Sequence, residues 1–166
     1  VSARQISPGE NYPAVHTPIS QELCPEGGDT DYALPYPVGK EYTCVQCAGQ
    51  GDKFTHNGLD EYALDFSMKI GSKITAARSG RVLYVRDSTS DENHTIGMEN
   101  LVVILHADGT FGRYLHLKKG GAKVRVGDMV DQGEWIGLSG NSGFSTMPHL
   151  HFDVTKDCWA SACQTV

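Results

Sequence analysis

Long apolar runs are absent from this 166-residue chain. The longest, Leu101 to Leu105, is five residues, far short of the ~20 that span a bilayer as a helix. A basic excess is missing too. Lys and Arg number 14 against 20 Asp and Glu, a net charge of −6, which argues against a nucleic-acid partner because phosphate contacts need a basic face. No run carries helical periodicity. No charged-then-apolar leader opens the chain, so any signal peptide is expected to have been removed. His-Glu-x-x-His does not occur, which excludes a zinc site built on one helix. Neither a Gly-x-Ser-x-Gly nucleophile turn nor a phosphate-cradling Gly-x-x-x-x-Gly-Lys-Ser/Thr loop is found.

What is present fits one domain, because 166 residues bury a single sizeable core. With 39% of residues apolar, disorder is not expected. Nineteen glycines point to many tight turns and short strands. Six of the seven prolines fall in the first forty residues, which predicts an irregular, extended arm over residues 1–41 packed on a core domain of 42–166. Within that domain the alternation predicts strands at Leu64 to Phe66, Lys73 to Ala77, Arg81 to Arg86 and Leu101 to His106. Further strands are expected at Gly112 to Leu117, Lys123 to Val126, Trp135 to Leu138 and Leu150 to Thr155. Turns separate them at intervals suited to an all-β sandwich or barrel. Two polar stretches, Asp87 to Asn100 and Ser139 to Pro148, are long enough to form a site.

Five cysteines, Cys24, Cys44, Cys47, Cys158 and Cys163, lean towards an oxidising compartment. Cys44 and Cys47 can form half of a structural zinc site with Cys158 and Cys163 as the other half. A redox role for Cys44 and Cys47 lacks the expected βαβ setting. Disulfides are the reading taken: Cys158 is expected to pair with Cys163 or with a cysteine of the N-terminal segment, and one thiol is left over.

Chemistry concentrates where alternation places like groups on one face. In His149-Leu150-His151-Phe152-Asp153-Val154 two imidazoles and a carboxylate face one side, and Leu150, Phe152 and Val154 face the other. Adjacent imidazoles converge well on Zn²⁺. In Tyr114-Leu115-His116-Leu117, His116 and Tyr114 are expected to share the face opposite Leu115 and Leu117. Asp65 lies between apolar neighbours and needs a partner, because a buried lone carboxylate is costly. His56 stands nine residues earlier in a Gly-rich loop. Together His56, Asp65 and one imidazole of the His-x-His would fill three positions of a tetrahedral zinc site. The other imidazole and His116 would then be acid/base groups. His106, at a strand end, is read as structural; His94 is read as exposed in its loop; His16 has no evident partner.

These pieces resemble the lysostaphin-type zinc peptidases, a family with a His…Asp pair and a later His-x-His. The resemblance runs from about Val38 to Val154 and is most specific over Ser139 to Phe152. Supporting segments are Ala76 to Val82, Val103 to Gly109, Tyr114 to Leu117 and Val126 to Gly137. The resemblance implies a compact antiparallel β core, with His56, Asp65 and His151 as zinc ligands and His149 and His116 as catalytic residues. The family's first motif is His-x-x-x-Asp, which His56 and Asp60 fit literally. Asp65 is preferred because the family's Asp precedes a Gly by six residues and then a strand entering Ala, as Gly71 and Ala76 follow Asp65. Met147 stands where the family has Gly before Pro-His, and is expected to narrow the groove and bear on substrate preference.

The function so implied is a secreted or periplasmic zinc metallo-endopeptidase, acting as a monomer. It would hydrolyse peptide bonds in bacterial peptidoglycan cross-links, or in Gly-rich peptides, by attack of a zinc-activated water. The alternative is a catalytically silent relative that binds cell wall or a protein partner through the same groove; retention of all five site residues argues against it. A lipoyl- or biotinyl-carrier module, suggested by Val126-Gly127-Asp128-x-Val130-x-x-Gly133, lacks the exposed hairpin Lys, since none lies between Lys123 and Lys156.

Overall fold

Every strand pairing among the described residues is antiparallel. The computed structural model describes residues 31–50, 55–56, 60–156 and 164–165. In chain order the strands are β1 (Cys44–Gln46), β2 (Leu64–Ser67), β3 (Lys73–Thr75), β4 (Gly80–Arg86) and β5 (Leu101–Leu105). They continue as β6 (Phe111–Leu115), β7 (Met129–Val130), β8 (Trp135–Leu138), β9 (His149–Lys156) and β10 (Gln164–Thr165). The large sheet runs β1-β2-β9-β6-β5-β4-β7, with β10 added to β9, and β3 pairs with β8 in a small second sheet. No α-helix is found among the described residues, so the protein is all-β, as the alternation implied.

Both faces of the large sheet are covered at its centre. One face carries Phe66, Val82, Val102, Ile104, Tyr114, Leu150 and Phe152, which cluster with Ile74 of β3 and Ile136 of β8. The opposite face is apolar only over part of its width, where Tyr84, Leu101, Val103, Leu105 and Phe111 cluster. Burial on both sides explains why β5 reads as an unbroken apolar run rather than an alternating one. The rest of that second face, along β2, β9 and part of β6, holds the charged and imidazole side chains.

Two expectations need correcting. Lys123 to Val126 is not a strand. Val124 is buried, and Lys123 N–H donates to the Ile136 carbonyl while Leu138 N–H donates to the Gly121 carbonyl, a pair of bonds to β8 that does not extend into a strand over 123–126. The neighbouring edge of β4 is taken instead by Met129 and Val130. Second, β6 ends at Leu115, and His116 takes a positive φ of 63°. Alternation therefore stops before His116: Tyr114 and Leu117 share the apolar core, and His116 does not lie on the Tyr114 face. Cys44 and Cys47 are joined to each other in a disulfide, in line with the disulfide reading of the cysteines and not with half of a zinc site. The pairing expected for Cys158 and Cys163 lies outside the described residues, as do residues 1–30 of the Pro-rich arm. Residues 31–41 contain no strand; Ala33 N–H bonds to the Ala77 carbonyl, and Tyr36 packs edge-on to Phe66. His106 is fully buried with Nδ1 against the Ser79 carbonyl, and His94 is exposed.

Tyr114 joins the layers, because its buried hydroxyl accepts the backbone N–H of Ala77 at 2.7 Å. Tyr114→Phe leaves that buried donor unpaired and should lower stability by about 1–3 kcal/mol. Urea unfolding checks this; an unchanged midpoint at unchanged slope would show that the bond contributes nothing.

Candidate metal and catalytic site

Strand register builds the first part of the site. Asp65 of β2 pairs directly with His151 of β9, and Leu64 and Phe66 pair with Phe152 and Leu150 on the apolar side. Asp65, His149, His151 and Asp153 therefore share the polar face, as period 2 requires. His56 joins them from the loop before β2, held at a φ of 49°. Its neighbour Thr55 exchanges hydrogen bonds with Gln46 of β1. His56 and His116 are the two non-glycine residues with positive φ among the described residues, and both deliver imidazoles to this site. Such conformations persist only where surrounding contacts hold them.

The distances are those of a convergent cluster. Asp65 Oδ2 lies 3.1 Å from His56 Nε2 and 3.5 Å from His149 Nε2, and Asp65 Oδ1 lies 3.0 Å from His151 Nδ1. All four residues are buried. Both ring nitrogens of His56 and Oδ1 of Asp65 nonetheless lack a well-aligned hydrogen-bond partner among the described residues. Buried polar atoms that crowd to 3 Å without hydrogen-bond geometry are aimed at a common point rather than at each other. Donor atoms of His56, Asp65 and His151 all lie within 4.8 Å of one another, so one cation can meet all three. Two imidazole nitrogens and one carboxylate oxygen are a donor set that suits zinc.

Asp60 does not join this group. Its carboxylate accepts from Arg113 Nη2 at 3.0 Å, and Arg113 also grips Asp153, through Nε at 2.6 Å and through Nη2. Arg113 and Asp153 were not among the residues assigned roles from the sequence. Alternation puts Asp153 on the polar face, whereas Arg113 gives one signal only, a charged residue inside an apolar strand.

His149 and His116 complete the cluster from the other side, with ring centroids 4.5 Å apart. Each is anchored through Nδ1 to a backbone carbonyl: His149 to Met147 at 2.7 Å, His116 to Ser142 at 2.7 Å. A carbonyl only accepts, so each Nδ1 carries the proton and each Nε2 keeps its lone pair. Burial pushes the His116 imidazole down to about 3, helped by the nearby His149 and His151. Burial lowers His149 as well, against the opposing pull of Asp65. Burial would raise Asp65, but the close imidazoles of His151 and His56, with His149 nearby, outweigh it and hold the carboxylate well below its usual range.

Loop contacts that the sequence reading left out position these anchors. Ser142 donates to the Leu117 carbonyl and accepts from Asn100 N–H, which fixes the carbonyl that His116 needs. Ser145 bonds the Met147 carbonyl and sits 3.2 Å from His149 Nδ1. Gly140 allows the loop to close, since a Cβ there would stand 2.4 Å from Lys118 N and 2.3 Å from the Asp91 carboxylate. Met147 is 42% exposed beside the site, and Phe144 is 48% exposed in the same loop.

The sequence model of peptidase family M23 matches residues 59–162, which include Asp65, His116, His149 and His151, with His56 just before them. Lysostaphin from Staphylococcus simulans is 39% identical over 97 residues, 58% of this chain and 18% of the relative. Peptidoglycan DD-endopeptidase ShyA from Vibrio cholerae is 40% identical over 99 residues, 60% of this chain and 20% of the relative. This chain thus spans about a fifth of the length of these relatives. Among solved structures, a zinc-containing peptidase from Vibrio cholerae superposes with a TM-score of 0.55 at 32% identity, covering 75% of this chain and 37% of that one. Sequence and fold agree: the chain belongs to peptidase family M23.

Proposed function

We propose that the chain is a zinc metallo-endopeptidase that hydrolyses peptide cross-links of bacterial peptidoglycan outside the cytoplasm. The observation that carries this reading is the convergence of His56, Asp65 and His151 on one point, with two neutral, carbonyl-anchored imidazoles beside it. The names of the relatives, lysostaphin and a peptidoglycan endopeptidase, support the substrate class. The Cys44–Cys47 bridge supports an oxidising compartment.

His56, Asp65 and His151 would hold the metal. When bound, zinc supplies Lewis-acid chemistry, making a water more acidic and polarising the scissile carbonyl. The remaining roles fall to the chain itself. His149 Nε2 faces Asp65 and bears a lone pair, so it takes a proton from the attacking water as general base. Two roles are open to His116, donating to the developing oxyanion or orienting the water. Its Nδ1 proton is committed to Ser142 and its Nε2 is unprotonated, so accepting a hydrogen bond from the water is the role that fits.

Three measurements test this reading. Purified chain should contain one zinc and release peptides from purified peptidoglycan, and a chelator should abolish both. Peptidoglycan left intact by the zinc-loaded chain would reject the activity. His56→Ala, Asp65→Ala and His151→Ala should lose zinc and turnover together. His149→Ala and His116→Ala should keep zinc but lose at least ~100-fold in turnover; near-wild-type turnover in either would remove that residue's role. Because the His116 imidazole is lowered to about 3, its ring should stay neutral from pH 8 down to pH 5. Long-range nitrogen–proton NMR should show one Nδ1–H tautomer across that range, and a titration near pH 6.5 would contradict the anchored geometry.

A further inference from the structure

We infer that Asp153, clamped by Arg113 and Asp60, is a positioning residue that sets which nitrogen of His151 faces the metal. The inference rests on the reading above, in which His56, Asp65 and His151 hold zinc. An imidazole binds a metal through a nitrogen lone pair, and it has one to offer only when the other nitrogen carries the proton. His151 Nδ1 lies 3.0 Å from Asp65 Oδ1 on the side of the convergent cluster. His151 Nε2 lies 3.2 Å from Asp153 Oδ2 on the opposite side. An ionised carboxylate accepts and cannot donate, so Asp153 holds the proton at Nε2, and in the neutral ring that binds a metal the lone pair is left at Nδ1.

The clamp makes that requirement rigid. Arg113 and Asp153 are register partners across β6 and β9. The guanidinium bonds both oxygens of Asp153, through Nε to Oδ1 at 2.6 Å and through Nη2 to Oδ2. Asp153 is 2% exposed and Arg113 is 3% exposed, so neither has bulk water as an alternative partner. The same Nη2 reaches the partly exposed Asp60 at 3.0 Å. Asp60, His151 and Asp153 have donor atoms close enough for a second cation. Arg113 already stands there as the positive charge, so this group is a brace and not a second metal site. Asp60, whose spacing from His56 suited a ligand, anchors the brace instead.

A buried Arg–Asp pair is a poor source of stability, since an apolar pair of similar volume often serves as well or better. That fact separates a structural role from a positioning one. Zinc affinity is measured by competition with a chromogenic chelator, on the full metal-free chain, for the wild type, Asp153→Asn, and the double variant Arg113→Met/Asp153→Leu. Unfolding midpoints are measured alongside. The single variant should bind zinc ~10–100-fold more weakly than the wild type. The double variant should regain a near-wild-type midpoint while its zinc affinity stays at least ~10-fold down. If Asp153→Asn fails to fold, the double variant alone decides. Wild-type zinc affinity in a stable double variant would overturn the positioning role. No zinc uptake by the wild type would instead overturn the metal reading, and the brace with it.

Discussion

Everything at the site depends on one buried carboxylate. Asp65 sits at 8% exposure on a strand whose neighbours point into an apolar core. A lone carboxylate in such a place is costly, and it stays ionised only if positive charge or N–H groups are brought to it. The fold turns three imidazoles to within 3.5 Å of its oxygens, so that a cation held among the donor atoms there would supply that charge. Those imidazoles come from β9 and from the loop before β2, which therefore have to meet at one spot.

Two kinds of positioning meet there. Asp65, His149 and His151 are placed by register on paired strands, where a slip of one residue would turn each of them into the apolar core. His56 and His116 are placed by strained backbone, at positive φ. The strand-borne group is rigid because the opposite face buries Leu150, Phe152 and Phe66. In the loop-borne group, His116 is held by the Ser142 carbonyl, whose residue Asn100 fixes, and His56 is held through the bonds of its neighbour Thr55 to Gln46. The same sheet face thus changes character across its width, from an apolar layer over β4 and β5 to a polar site over β2 and β9.

Sequence alone made part of this legible. The alternation of His149 to Val154 placed two imidazoles and Asp153 on one face, and the pairing of β2 with β9 has that arrangement. The all-β class followed from glycine content and short apolar strands. Alternation misled at His116, because a positive φ at a non-glycine residue leaves no trace in a period-2 pattern. It misled at Lys123 to Val126 because alternation reports one buried face and says nothing about a hydrogen-bonding neighbour. The two-residue β7 was too short to show a pattern at all. Arg113 was visible as a charge among apolar residues, but its partners are 40 and 53 positions away and are joined to it only by the folded sheet.

X-ray absorption at the zinc edge of the metal-loaded full chain tests the central claim most directly. Two imidazoles and a carboxylate predict nitrogen and oxygen scatterers only, at about 2.0–2.1 Å, with multiple scattering from two rings. Sulfur scatterers at about 2.3 Å would place the metal on cysteines and contradict the account.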